Sequence, residues 1–188
     1  MRKKIQTIDR PSLTMHIDYD HLTRGEFGNI LIRLQAALRS LAGLSPGEYD
    51  GRYYKEQPRF VTSTAHTKQS IDIRLLLAIL ATGMSAPGAF DQWSRFASDV
   101  FQWFKIAILA MGQGEIKHPE EGTGIEGLRI KVTRGIIDLQ VSRPFLDELT
   151  TKQRRAIANF LWSLTGSARR VDISDDQSEI SIEWSEEG

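Results

Sequence analysis

The stretch Ala89–Met111, AFDQWSRFASDVFQWFKIAILAM, decides how this chain folds. At helical spacing one face carries Trp93, Phe96, Val100, Phe104, Ala107, Ile108 and Met111. A second face carries Phe90, Phe101, Trp103, Ile106 and Leu109, and only Arg95, Asp99, Gln102 and Lys105 mark a polar side. A helix apolar on two faces is covered on two sides, by its own fold or by a partner. Core packing is the ordinary reason. The other reason is an interface built on Phe90, Phe101, Trp103, Ile106 and Leu109, since Trp, Phe and Met are enriched at the centres of protein interfaces. Adsorption to a membrane surface calls for a broad Lys- and Arg-rich face, which this helix lacks. Spanning calls for about 20 apolar residues, and the longest apolar runs, Leu75–Ala81 and Ile106–Met111, fall far short.

Strands and helices alternate around this helix. Ser12–Tyr19, SLTMHIDY, alternates strictly: Leu13, Met15, Ile17 and Tyr19 to one side, Ser12, Thr14, His16 and Asp18 to the other. That period of two predicts a half-buried strand. Thr23 and Glu26 form a T-x-x-E capping box, and Phe27, Ile30, Leu31, Leu34, Leu38 and Leu41 continue as a helical stripe up to Gly43. A turn-rich loop, SPGEYDGRYYKEQP, separates this helix from a strand over Arg59–Thr67. Gln69–Ile79 alternates in answer, with a tight turn at Thr67–Lys68; its Leu75–Ala81 end also suits a helix, and strand is the favoured reading.

Ser85 and Pro87 read as the cap and first turn of the aromatic helix. Beyond it, Leu128–Thr133 and Ile136–Ser142 predict a hairpin around Arg134–Gly135. Pro144 opens a helical segment in which Thr150 and Gln153 repeat the capping-box pattern. Ile157, Phe160, Leu161 and Leu164 form its stripe, and Gly166 is its stop. Arg170–Ile173 and Glu179–Trp184 then flank SDDQS as a last hairpin. The expected fold is α+β: largely antiparallel sheet with about three helices in the order β-α-ββ-α-ββ-α-ββ.

A length of 188 residues suits one domain. The expected organisation is a flexible N-terminal arm over residues 1–11, a single α+β domain over 12–184 and an acidic tail over 185–188. The glycine-rich Gly112–Gly127 also allows two lobes divided at that loop. The basic N-terminus has no apolar run after it, which reads against a secretory signal.

The chain has no cysteine, which excludes disulfides, thiolate catalysis and Cys-ligated metal sites and fits a reducing cytoplasm. Its 24 basic and 24 acidic residues balance, unlike the basic excess of a dedicated nucleic-acid binder. Zero net charge also leaves copies of the chain little to repel them. Locally, bases gather at Arg129, Lys131, Arg134, Arg143, Lys152, Arg154, Arg155, Arg169 and Arg170. Acids gather at Asp172, Asp175, Asp176, Glu179, Glu183, Glu186 and Glu187. Such segregation steers a charged partner or a second copy, or simply solvates outer faces.

The residues best placed for chemistry are His16, Asp18 and Asp20, which share one side of a strand, with His66 as a fourth member if its strand lies beside theirs. An imidazole and two carboxylates on one face suit a divalent cation or acid–base work. They equally suit the solvent side of a half-buried strand. His21 follows the strand and His118 lies in a loop; no H-E-x-x-H or H-x-H pattern, G-x-S-x-G elbow, S-x-x-K or phosphate-binding glycine motif is present. The Gly112–Gly114 and Gly122–Gly124 pairs read as loop flexibility.

The leading expectation is therefore a non-enzymatic interaction or accessory protein of a bacterial-type cytoplasmic system, able to self-associate, with no cofactor, no metal and no membrane. Two alternatives stand beside it. One is a metal-dependent hydrolase or nuclease using His16, Asp18, Asp20 and His66. The other is a small-ligand binder with a pocket under the aromatic helix.

Overall fold

A computed structural model describes residues 4–42, 59–81, 89–112, 128–134 and 149–184. The elements are β1 (Lys4–Tyr19), α1 (Arg24–Ala42), β2 (Arg59–His66), β3 (Ser70–Ala81), α2 (Ala89–Gly112), β4 (Leu128–Arg134), α3 (Thr151–Leu164), β5 (Ala168–Ser174) and β6 (Glu179–Trp184). The six strands form one sheet in the order β2-β3-β1-β5-β6-β4, and every neighbouring pair is antiparallel. This is the α+β architecture that the alternation of periods implies. The second strand of the expected middle hairpin, Ile136–Ser142, lies outside the described residues, as do Gly43, Ser85, Pro87 and the loop over residues 113–127.

The helix boundaries follow from local chemistry. At the start of α1, Glu26 Oε2 accepts from the Thr23 backbone N–H at 2.7 Å while Thr23 Oγ1 accepts from the Glu26 N–H at 3.2 Å. At α3, Thr150 and Gln153 make the same reciprocal pair, at 2.8 and 3.3 Å. Each box satisfies backbone donors that a helix start leaves free. Gly166, at φ 84, takes the left-handed conformation after α3, which only glycine adopts without strain.

One part of the sheet departs from the sequence reading. Lys4–Pro11, expected as an arm, is the first half of β1, and Lys4–Ile8 pairs with Leu77–Ala81 of β3. The pairing register shifts between Ile8 and Leu13, around Pro11. Proline cannot donate to the ladder, so a strand accommodates it where the pairing is irregular rather than ending there. The Leu75–Ala81 run is strand, paired with both β1 and β2.

The core lies on one face of the sheet. Leu13, Met15 and Ile17 of β1, Ile71, Ile73, Leu75 and Leu77 of β3, Val171 and Ile173 of β5, and Ile180 and Ile182 of β6 are all buried toward the helices. α2 is the centre of that core. Its Phe101 meets Phe60 of β2 at 5.7 Å between ring centroids, and its Phe104 meets Phe160 of α3 at 5.5 Å. Each such side chain contributes roughly 1.5–3 kcal/mol by leaving water. Among the described residues no helix is long and apolar enough to cross a membrane.

Candidate functional site

Among the described residues, three places hold side chains that could carry function: the second face of α2, the polar face of the sheet, and the outermost strands β2 and β4.

On α2, Phe101, Ile106 and Leu109 are buried within the chain's own core, and Trp103 is half-buried against it. The side chain of Phe90 lies outside the described residues. The helix packs on the sheet through β1 and β4 and against both α1 and α3. Among the described side chains of this face, Trp103 is the one that stays partly exposed. The same helix holds a charge that its sequence pattern places on the polar side: Lys105 is 0% exposed. Its Nζ lies 2.5 Å from Asp175 Oδ1, whose side chain is 3% exposed, and donates to the Ser178 hydroxyl and, at 3.3 Å, to the Ser178 carbonyl. Asp175 Oδ1 also accepts the backbone N–H groups of Gln177 and Ser178 at 2.8 and 2.9 Å. Lys105 thus pins the β5–β6 turn to α2. Burial pushes its pKa below the usual lysine value, opposed by the hydrogen bond and charge of Asp175. A lysine beside a serine is the arrangement of a Ser–Lys nucleophile. Here Ser178 is buried and the lysine is spent on Asp175, so the cluster serves as a structural clamp.

On the polar face, cross-strand register brings together residues far apart in sequence. His16 lies opposite Asp72 of β3 on one side and opposite Asp172 of β5 on the other. Its Nδ1 is 2.5 Å from Asp72 Oδ1 and its Nε2 is 3.2 Å from Asp18 Oδ1. The hydrogen bond to Asp72 raises the His16 pKa above its ordinary value; partial burial opposes this, and the charges of Asp72 and Asp18 add to it. Asp172 is held by Arg170 Nε at 2.9 Å and by the Ser181 hydroxyl, to which Arg170 Nη2 also donates at 3.3 Å.

The four residues singled out for chemistry do not gather. His16 and Asp18 meet, and Asp72 joins them. Asp20 lies past the end of β1 and pairs with Arg169 at 3.1 Å. His66 belongs to the opposite face of the sheet, edge-on to Phe27 of α1 at 5.3 Å; it is directly opposite Ile71, whose side chain is in the core. Among the described residues no three histidine or carboxylate groups are placed to hold a metal ion. His21 is exposed, and His118 lies outside the described residues.

Sheet register also sets several of the segregated charges opposite one another. Arg129 stands opposite Glu183, Arg134 opposite Glu179 and Arg170 opposite Glu183. Of the other charges in those clusters, Arg143, Glu186 and Glu187 lie outside the described residues.

Among the described residues the sheet ends at β2 on one side and at β4 on the other, and these two strands differ. Edge strands present unpaired N–H and C=O groups, and natural sheets blunt them with charge, proline or bulges. β4, LRIKVTR, carries Arg129, Lys131 and Arg134 and has a register shift between Val132 and Arg134 in its pairing with β6. β2, RFVTSTAH, has no charge, proline or glycine from Phe60 to Ala65, and pairs with β3 without a break over its whole length. Its Val61 is 37% exposed, and Ser63, Thr64 and Ala65 are exposed. Among the described residues no strand pairs with the outer side of β2. Such an edge can be found in sequence, as a strand run without gatekeepers, but only once the strand order places it outermost. No protein-family model matches this chain, and no curated protein or solved structure matches it significantly.

Proposed function

We propose that this chain is a non-enzymatic protein–protein interaction protein that takes up its partner by strand addition at β2. The observation that supports this most is the contrast between the two outermost described strands: β4 carries the usual defences along its length and β2 carries none from Phe60 to Ala65. Strand addition draws its affinity from main-chain hydrogen bonds and its specificity from alternate side chains. The alternate side chains on the polar side of β2 are Val61, Ser63 and Ala65, small and uncharged. The reading agrees with the state of the polar side chains elsewhere: His16, Asp18, Asp72, Arg170 and Asp172 hold one another, and Lys105 holds Asp175. A cytoplasmic setting, accessory to other proteins of a bacterial-type cell, is part of the same proposal and rests on the absence of cysteine.

The test transfers the defences of β4 onto β2. Val61→Lys with Ser63→Lys adds charge at two exposed positions and leaves the core untouched. Immobilised wild-type chain is expected to retain a near-stoichiometric companion from its native cells, which the double variant loses and His16→Ala keeps. Loss with His16→Ala and retention with the double variant would overturn the proposal.

A further inference from the structure

We infer that the occupant of the β2 edge is the β2 strand of a second copy of this chain, joined antiparallel about a two-fold axis at Ser63. The inference rests on the strand-addition reading and commits it to one partner. Antiparallel strands related by a two-fold place directly opposed residues on the same face, so the paired numbers have the same parity. Centring on Ser63 sets Ser63 against Ser63, Val61 against Ala65, Thr62 against Thr64 and Phe60 against His66. No like charges oppose in that register, and the side chain of Val61, exposed on the polar face, is covered by Ala65 of the other copy. Centring on Thr62 instead opposes Val61 with Ser63 and leaves it without an apolar neighbour across the joint.

Two further observations favour a second copy. The chain's 24 bases and 24 acids sum to zero, so no long-range repulsion separates copies. The two-fold keeps both helix layers on the same side of the joined sheet, so each polar face continues into the other and no charged face is pressed onto an apolar one. Thr–Thr and apolar cross-strand pairs of this kind each contribute roughly 0.2–1 kcal/mol beyond the backbone bonds.

The absence of cysteine makes the test specific. Directly opposed Cα atoms in an antiparallel pair lie about 4.5–5.5 Å apart, inside the range of about 4.4–6.8 Å that a disulfide spans. Ser63→Cys and, at the other edge, Lys131→Cys are purified reduced and treated with diamide, which takes up the two protons and two electrons released as each disulfide forms. Ser63→Cys is expected to become mostly a covalent dimer at micromolar concentration and Lys131→Cys to remain monomeric, with wild type a dimer by sedimentation. A monomeric wild type, or equal cross-linking at both edges, would overturn the inference. If the wild type is monomeric while Val61→Lys with Ser63→Lys still releases a companion, strand addition stands and only the second copy is refuted.

Discussion

Two ion pairs in this fold have the same length and opposite surroundings. His16 Nδ1 and Asp72 Oδ1 are 2.5 Å apart on the polar face of the sheet, with side chains 39% and 49% exposed. Lys105 Nζ and Asp175 Oδ1 are also 2.5 Å apart, with side chains 0% and 3% exposed. Water screens the first pair and leaves each partner a replacement in solvent, so its loss is cheap. The second pair has no replacement, so removing one partner strands a charge in the core. The comparison separates accessibility from strength. The group a ligand could reach is already held by carboxylates on both ring nitrogens, and the group with the strongest local consequences is sealed away. Both charged groups of these pairs are thus already engaged, whereas among the described residues the outer side of β2 has no strand paired to it.

Truncating the buried pair has the largest expected effect. Lys105→Ala is expected to lower unfolding stability by about 3–5 kcal/mol, read by urea denaturation, because Asp175 is left buried and uncompensated. Replacing both partners, Lys105→Met with Asp175→Leu, is expected to recover a large part of that loss, since an apolar pair removes the desolvation cost of both charges. The recovery stops short of complete because the N–H groups of Gln177 and Ser178 lose their acceptor. A double variant no better than the single would show that the clamp on the turn, and not the charge, sets the effect.

His16→Ala is expected to cost less than about 1 kcal/mol, and less still in salt of about 0.5 M. The pH dependence carries the sign. The His16 pKa is raised on folding by the hydrogen bond to Asp72. Its stabilisation is therefore complete below the unfolded value of about 6.5 and is lost as pH rises through the higher folded value. His16→Asn is expected to flatten that part of the stability profile, measured from about pH 6 to about pH 9. An unchanged slope in His16→Asn would assign the titration to another group.

The local parts of this fold are legible in the chain. Two reciprocal capping boxes place the starts of α1 and α3, period-two alternation places the second half of β1 and most of β3, and the apolar wrap of α2 marks the core. What is not legible depends on pairing between distant segments. Pro11 reads as a stop because proline ends ladders locally; an irregularity in register carries β1 past it. Lys105 reads as polar surface because Asp175, its partner, lies far along the chain. Asp72 joins His16 only through the β1–β3 register, and His66 falls on the other face by the same geometry. β2 becomes an edge only in the assembled strand order.

The edge is tested most directly by amide hydrogen exchange followed over protein concentration. Outward N–H groups of an unpaired edge exchange rapidly, and pairing protects them. Protection within Phe60–Ala65 is expected to rise with concentration from the nanomolar to the tens-of-micromolar range, while the β4 amides of Leu128–Arg134 stay unchanged. Protection of β2 that does not vary with concentration, or that varies equally at β4, would contradict a self-pairing β2 edge.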